Sequence, residues 1–246
     1  MPQVQNHIEH YRRDAELFDY FENETPLNRD GNRRLRQGVL RAAKLGDARG
    51  CLLLDAGSGS GWLTIPASEA ACIPVLVDLG LENLRVIRAR QPGTSCVAAD
   101  VNRLPFRDAV FGRVVSAEVL EHTNDPEHVM RELSRVLSPD GMMVTSTPYR
   151  ETLRYSLCIH CNQPTPLNAH LHSFDENRHA LLCNAAGLVQ QRATVQHNTL
   201  FQRSRLSYAF RWLPYPLWRI LDRCCMFVFW RAATIIVTSR KRREHP

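Results

Sequence analysis

No apolar run in this 246-residue sequence reaches the ~20 residues that a membrane-spanning helix needs. The most hydrophobic stretch, Leu206 to Ser239, is broken by Arg211, Arg219, Asp222, Arg223 and Arg231. The N-terminus, with Glu9, Asp14, Glu16 and Asp19, lacks the basic and apolar pattern of a secretory leader, so the expected location is the cytoplasm. Internal repeats and low-complexity tracts are also missing. With 44% hydrophobic and 23% charged residues, disorder, collagen and coiled coil are excluded as descriptions of the whole chain. No aromatic-basic module accompanies the net charge of +6. The excess in Arg33, Arg34, Arg36, Arg41 and the tail Arg240 to Arg243 therefore reads as a solvated basic face, and nucleic acid is not the expected partner. Eight cysteines without an export signal point to reduced thiols rather than a disulfide scaffold.

What is present is a change of rhythm at about residue 50. Residues 1–49 read as a helical extension: Tyr11 to Phe21 carries Ala15, Leu17, Phe18 and Phe21 among charges, and Arg33 to Leu45 sets Leu35, Val39, Leu40 and Ala43 at helical spacing. The Tyr11 to Phe21 helix, with Tyr20 and Phe21, either packs in the core or folds over a ligand as a lid. From residue 50 to 246, short apolar runs alternate with helical stretches. The runs are Cys51 to Leu54, Ile73 to Val77, Ser95 to Ala98, Arg113 to Ser116 and Met142 to Ser146. The helical stretches are Trp62 to Ala71, Leu81 to Arg90 and Pro126 to Leu137, the last opened by Asn124 or Asp125 and stopped by Pro139 and Gly141. Strand, helix, strand in this order predicts a doubly wound, Rossmann-like α/β fold with a mostly parallel sheet covered on both faces. A Pro-, Cys- and His-rich segment, 148–173, interrupts it. A helix follows from Asp175 to Ala186, with capping-box spacing at Ser173 and Glu176 and Gly187 at its stop. Leu188 to Gln196 and Ala232 to Ser239 read as two more strands, separated by an apolar helical insertion at 200–230.

The strongest chemical signal is Leu52-Leu53-Leu54-Asp55-Ala56-Gly57-Ser58-Gly59-Ser60-Gly61-Trp62, a buried strand running through a glycine turn into a helix. Glycines let backbone approach a ligand closely, and the helix N-terminus offers free N–H donors. Trp62 stands where a dinucleotide fingerprint needs a small residue, which disfavours NAD, and no Gly-Lys-Ser/Thr follows, which excludes a P-loop. Two further acids sit where successive strands end: Asp78 after Val75-Leu76-Val77, and Asp100 after Cys96-Val97-Ala98-Ala99. Ligands of an open parallel sheet bind outside those ends. A carboxylate at the second suits the paired hydroxyls of a ribose, and one at the third suits an exocyclic amine.

Together with Ala99-Asp100-Val101-Asn102-Arg103-Leu104-Pro105-Phe106, Ser116-Ala117-Glu118-Val119-Leu120-Glu121-His122 and Arg131-Glu132-Leu133-Ser134-Arg135-Val136-Leu137-Ser138-Pro139-Asp140-Gly141, these motifs give a sequence that resembles the class I S-adenosylmethionine-dependent methyltransferases. It is similar to the type 11 group acting on small molecules and lipids, over roughly residues 50 to 190. The resemblance implies a seven-stranded sheet whose last strand, Ala232 to Ser239, is antiparallel. It implies that Asp55, Gly57 and Gly59 hold the methionine end of S-adenosylmethionine, with Gly61 in the same loop. Asp78, next to Leu79, would bind the ribose, and Asp100 with the Val101 backbone would read the adenine. Glu118 to His122 would line the methyl-transfer site, Glu118 also reaching the cofactor.

A sulfonium methyl is already electrophilic, so the protein has to align an acceptor and exclude water. For a hydroxyl acceptor His122 is the candidate base, oriented by Glu121 or Glu118; otherwise it packs at the strand-helix junction. Cys158-Ile-His-Cys161 and His170-Leu-His172 have the ligand types and spacing of a structural zinc site. In the insertion, Leu217, Trp218, Ile220, Leu221, Cys224, Cys225 and Val228 form one apolar stripe with Arg219, Asp222 and Arg223 opposite. That stripe packs on the sheet, forms a hydrophobic acceptor pocket or rests on an anionic membrane surface. The expected function is methyl transfer to a small hydrophobic acceptor such as a quinone, a lipid or a polyketide. The alternative is a non-catalytic or partner-dependent subunit that binds S-adenosylmethionine.

Overall fold

A computed structural model of the protein describes residues 7–18, 21, 25–198, 209–229 and 231–242. Two helices, α1 (His7–Leu17) and α2 (Pro26–Ala43), precede the first strand. The five apolar runs become β1 (Leu52–Ala56), β2 (Ile73–Asp78), β3 (Ser95–Ala98), β4 (Phe111–Ala117) and β5 (Leu137–Pro148). Between them lie α3 (Thr64–Glu69), α4 (Leu81–Arg90) and α5 (Pro126–Val136). A small antiparallel hairpin, β6 (Tyr155–Leu157) with β7 (Pro164–Pro166), leads to α6 (Glu176–Ala185) and β8 (Leu188–Asn198). The described chain ends with α7 (Tyr215–Val228) and β9 (Ala232–Lys241). The sheet runs β3-β2-β1-β4-β5-β9-β8, with β9 antiparallel to both neighbours and the other strands parallel. This is the expected doubly wound fold.

Strand alternation decides which helix covers which face. Leu53, Val115, Val144 and Ile236 point to the side of α2 and α3, against Val39, Ala43 and Ala67. Leu54, Val114, Met143 and Val237 point to the side of α5 and α6, against Val129, Leu133 and Leu182. Each such side chain contributes on the order of 1.5–3 kcal/mol when taken from water. Caps fix where the helices begin: Asp125 accepts from the His128 N–H and Asp175 from the Arg178 N–H, both at 2.9 Å, each cap worth about 1 kcal/mol.

Several boundaries differ from the sequence reading. The helix expected over Trp62 to Ala71 is shorter, because Gly61 stands at φ 68° and the chain is still turning when Thr64 bonds the Gly61 carbonyl at 2.8 Å. The cap of α6 is Asp175, not Ser173, since a carboxylate one residue before the helix reaches the orphan N–H directly. The first helix ends at Leu17, and Phe21 packs in the core against Leu76, Leu84 and Ile87 beneath Arg90; Tyr20 lies outside the described residues. The basic cluster is not wholly solvated. Arg34 is buried, donating to the carbonyls of Phe210, Arg211 and Leu213 and stacking on Trp218, and so ties α2 to the insertion.

The insertion corrects the sequence most. Residues 199–208 and 230 lie outside the described residues. On α7, Trp218, Asp222 and Met226 face inward, whereas Leu217, Ile220, Phe227 and Val228 face solvent, Phe227 at 90% exposure. The physical reason is Asp222. Its carboxylate accepts from the His197 and Asn198 N–H groups at the end of β8 and from Arg219, so the helix turns its acid inward beside Trp218 and part of its apolar stripe outward.

Candidate active site

The site forms where β1, β2, β3 and β4 end. Gly57 leaves β1 at φ 78°, and the Gly57 and Ser58 N–H groups donate to the Val77 carbonyl at 2.8 and 3.0 Å, which holds the glycine turn against β2. One oxygen of Asp78 accepts from the Gly59 N–H and the other from the Gly80 N–H, each at 2.7 Å. An ionised carboxylate has roughly four acceptor positions, so about half remain for a ligand. Burial pushes the Asp78 carboxyl above its usual range, opposed by those N–H donors. Asp100 holds the Asn102 N–H and side-chain amide at 2.9 and 2.8 Å. The loop after it is pinned by Arg135, which donates to the Leu104 and Phe106 carbonyls and to Asp108.

These groups line one cavity of about 350 Å³. Of the expected cofactor residues, Gly57, Gly59, Asp78, Leu79, Asp100, Val101 and Glu118 line it. Asp55 and Gly61 do not. Asp55 is buried beneath the turn with one carboxylate oxygen unpartnered, and Gly61 faces Ile87. Sequence reasoning missed Tyr11, Asn32, Arg36, Trp62 and Asn102, which complete the wall. The pairing of Arg36 with Trp62, 5.9 Å from guanidinium to ring, comes from a helix 25 or more residues upstream and leaves no local signal.

Glu118 departs from ordinary backbone at φ 56°, the kind of strain that accumulates where a strand end is bent to serve a site. Its carboxylate accepts from Ser146 at 2.8 Å, and burial pushes it up to about 7. A second cavity of about 390 Å³ adjoins the first and is lined by His10, Tyr11, Asp14, His122, Thr165, Pro166, Asn168 and Ala169. Tyr11 and His122 line both. The His122 ring meets Tyr11 and His170 edge-on, with centroids 5.6 and 4.7 Å away. Burial, aided by His170, lowers its pKa to about 4, so it is neutral near pH 7. Glu121 lines neither cavity. It is fully buried, neither carboxylate oxygen has a hydrogen-bond partner among the described residues, and its Oε1 lies 3.9 Å from His122 Nε2.

The expected zinc cluster is not assembled. His172 is committed to the Thr123 carbonyl at 2.9 Å and to Arg178 at 3.1 Å, and His170 turns to Glu151. Among the described residues no metal-sized group contains Cys158, Cys161 or His172. Cys161 is exposed in the hairpin turn. The hairpin is closed by backbone bonds such as Cys158 N–H to the Gln163 carbonyl at 2.9 Å, and the Cys158 and Cys161 thiols meet there without either histidine.

Burial pushes the Asp55 carboxyl up to about 7, with Asp78 adding to the shift. A raised folded-state pKa means that the folded protein holds this proton where the unfolded chain has lost it, so stability from this group is present below about pH 4 and lost as pH rises through about 7. Asp55→Asn removes that dependence. The melting temperature of the variant relative to the wild type is expected to rise between pH 5 and pH 8, read by thermal denaturation; a constant or falling difference would contradict the burial.

Residues 54–145 match the methyltransferase domain family, and this span holds the glycine turn, all three strand-end acids and Glu118 to His122. The chain is 32% identical to a demethylmenaquinone methyltransferase of Renibacterium salmoninarum over 49% of this chain and 50% of that one. It is 34% identical to a malonyl-[acyl-carrier protein] O-methyltransferase of Pseudescherichia vulneris over 44% and 43%. The chain thus spans about half the length of these relatives. The fold is similar to that of a Burkholderia thailandensis 1,6-didemethyltoxoflavin-N1-methyltransferase crystallised with S-adenosylhomocysteine, with a TM-score of 0.63 at 17% identity over 99% of this chain and 93% of that one. Residues 54–145 are thus similar to a methyltransferase domain, carried on the same fold as that structure.

Proposed function

We propose that the protein binds S-adenosylmethionine in the first cavity and transfers its methyl group to a small acceptor seated in the second. The observation that carries this reading is the junction: His122 and Tyr11 line both cavities, while Gly57, Gly59, Asp78 and Asp100 line the first alone. The fit to the cofactor is good. Gly59, at φ 50°, has open space where a side chain would stand, and the half-free Asp78 carboxylate faces the same cavity. When bound, the cofactor supplies an electrophilic sulfonium methyl. Asp78 would accept the ribose hydroxyls, and Asp100 with the Val101 backbone would hold the adenine edge. Glu118 would face the methionine end, where its carboxylate, poised near neutrality by burial, complements a cation. His122, already neutral, would accept a proton from an acceptor hydroxyl as it is methylated.

The lining of the second cavity is largely polar, with His10, Asp14, Thr165 and Asn168 beside His122, Tyr11, Pro166 and Ala169. Among the described residues α7 lines neither cavity. The acceptor we infer is apolar in its body and polar at its reacting end, of the quinone, lipid or polyketide kind. Support comes from the relatives' names, demethylmenaquinone methyltransferase and malonyl-[acyl-carrier protein] O-methyltransferase. Further support comes from the outward face of α7, where Leu217, Ile220, Phe227 and Val228 stand near exposed Arg223 and Arg231, a surface suited to meet an anionic bilayer. Phe227→Asp is expected to abolish sedimentation with anionic vesicles and to leave binding to S-adenosylhomocysteine unchanged; wild-type sedimentation in the variant would remove the membrane from the account.

Release of S-adenosylhomocysteine over a panel of quinols and acyl acceptors tests turnover. With the best acceptor, His122→Ala is expected to lower kcat by about 10²–10³, within the usual range for a positioned base, with cofactor affinity changed no more than a few-fold. Cofactor binding with no turnover on any acceptor would favour the subunit that binds without catalysis.

A further inference from the structure

Behind His122 lies a group of side chains that cofactor binding does not use. Glu121, His122 and His170 each offer one ligand atom, and the three atoms lie within 4.8 Å of one another. Glu121 is the telling member. Its carboxylate is wholly buried, and neither oxygen is hydrogen-bonded among the described residues. An uncompensated buried charge of this kind is costly unless it is neutralised or coordinates a cation. Its neighbours make the deficit worse: Glu118 and Glu151 both act on it as like charges. Among the described residues no arginine or lysine forms an ion pair with any of the three; the ion-pair partners of Glu121 and Glu151 are His122 and His170.

The two imidazoles are turned for ligation. His170 holds its Nδ1 to Glu151 Oε2 at 2.5 Å, and His122 directs its Nδ1 to the Ala169 carbonyl at 3.4 Å. Each ring is thereby fixed through one nitrogen, and Nε2 is left for a ligand. In metal sites the non-ligating nitrogen of a histidine is usually held by a carboxylate or a carbonyl in this way. The histidines come from different parts of the chain, one after β4 and one after the hairpin, and the Leu171 N–H bond to the Glu121 carbonyl at 2.7 Å keeps them in register.

We propose that Glu121, His122 and His170 form a site for a divalent cation, with Glu151 orienting His170 and His122 linking the site to the two cavities that it lines. Two imidazoles and a carboxylate without thiolate favour an ion of the Mn²⁺ or Fe²⁺ kind. Resting on the methyltransferase reading, a bound cation would occupy the His122 lone pair that otherwise accepts the acceptor's proton, and its charge would instead favour the acceptor oxygen as the conjugate base.

The test is titration of the full-length, chelator-treated protein with Mn²⁺, followed by loss of the free-ion electron paramagnetic resonance signal, and with Co²⁺, followed by visible absorption, both without cofactor or acceptor. One saturable site is expected. Affinity should fall at least tenfold in Glu121→Gln and His170→Ala and about tenfold in Glu151→Gln, and stay unchanged in Cys158→Ser and Cys161→Ser. Failure of the wild-type protein to bind either ion below about 1 mM overturns the site, whatever the variants do. So does wild-type affinity in folded Glu121→Gln and His170→Ala. S-adenosylhomocysteine binding on the same preparation separates the two claims: if it binds and Mn²⁺ does not, the cation site falls and the methyltransferase reading stands.

Discussion

Replacing Asp78 with alanine is expected to lower affinity for S-adenosylhomocysteine at least about 100-fold, with a melting temperature within a few degrees of the wild type. Two physical losses coincide at this residue. Its carboxylate holds the Gly59 and Gly80 N–H groups at 2.7 Å and so shapes the turn that lies over the cofactor. Its remaining acceptor positions face the cavity, where the ribose hydroxyls are assigned. Hydrogen bonds to a charged group contribute about 1.5–3 kcal/mol each, and 1.4 kcal/mol is about tenfold in affinity, so the loss of two accounts for the effect. Stability falls by no more than a few degrees because the side chain is only half-buried, and water can take the Gly59 and Gly80 N–H groups in place of the carboxylate. Calorimetric titration of the variant checks this, and unchanged affinity would remove Asp78 from the cofactor site.

Gly57→Ala should both destabilise the fold and abolish cofactor binding. Gly57 sits at φ 78°, and an added Cβ would stand 2.4 Å from Val119 Cγ2. Left-handed backbone costs an L-residue about 1–2 kcal/mol, and overpacking about 1–3 kcal/mol more. For a chain of 246 residues that lowers the melting temperature by roughly 5–15 °C. The two contributions can be separated: Gly57→Ala with Val119→Ala should recover the overlap but not the backbone strain, restoring part of the loss. Full recovery would mean that the conformation of the turn carries no cost, and no loss in the single variant would mean that the turn is not held as described.

The fold was legible where sequence signals are local. Buried strands such as Leu52–Ala56 are short apolar runs, and the glycines and strand-end acids Asp78 and Asp100 mark the ends that face a ligand. Arg135, four residues after Arg131 in a motif recognised only as a pattern, proves to be the clamp on the loop carrying Asp100. What escaped the sequence is non-local. Tyr11 reaches the site because Ala15 packs beside Gly80, where an added Cβ would stand 2.6 Å from the Ala15 Cβ. The face of α7 was read in part wrongly: Trp218 packs inward, but Leu217, Ile220 and Val228 face out, because hydrophobic periodicity cannot foresee that one acid, Asp222, satisfies two strand-end N–H groups and an arginine from inside. The zinc reading failed for a related reason. Spacing brings Cys158, Cys161, His170 and His172 close in sequence, but the Thr123 carbonyl and Arg178 claim both nitrogens of His172, and His170 comes together with Glu121 and His122 rather than with the cysteines.

The most direct test of the central claim is calorimetric titration of the wild-type protein with S-adenosylmethionine and S-adenosylhomocysteine. The account predicts saturable one-to-one binding of both. Binding of neither, or saturation by NADH instead, would contradict the assignment of the Gly57, Asp78 and Asp100 cavity and with it the function built upon it.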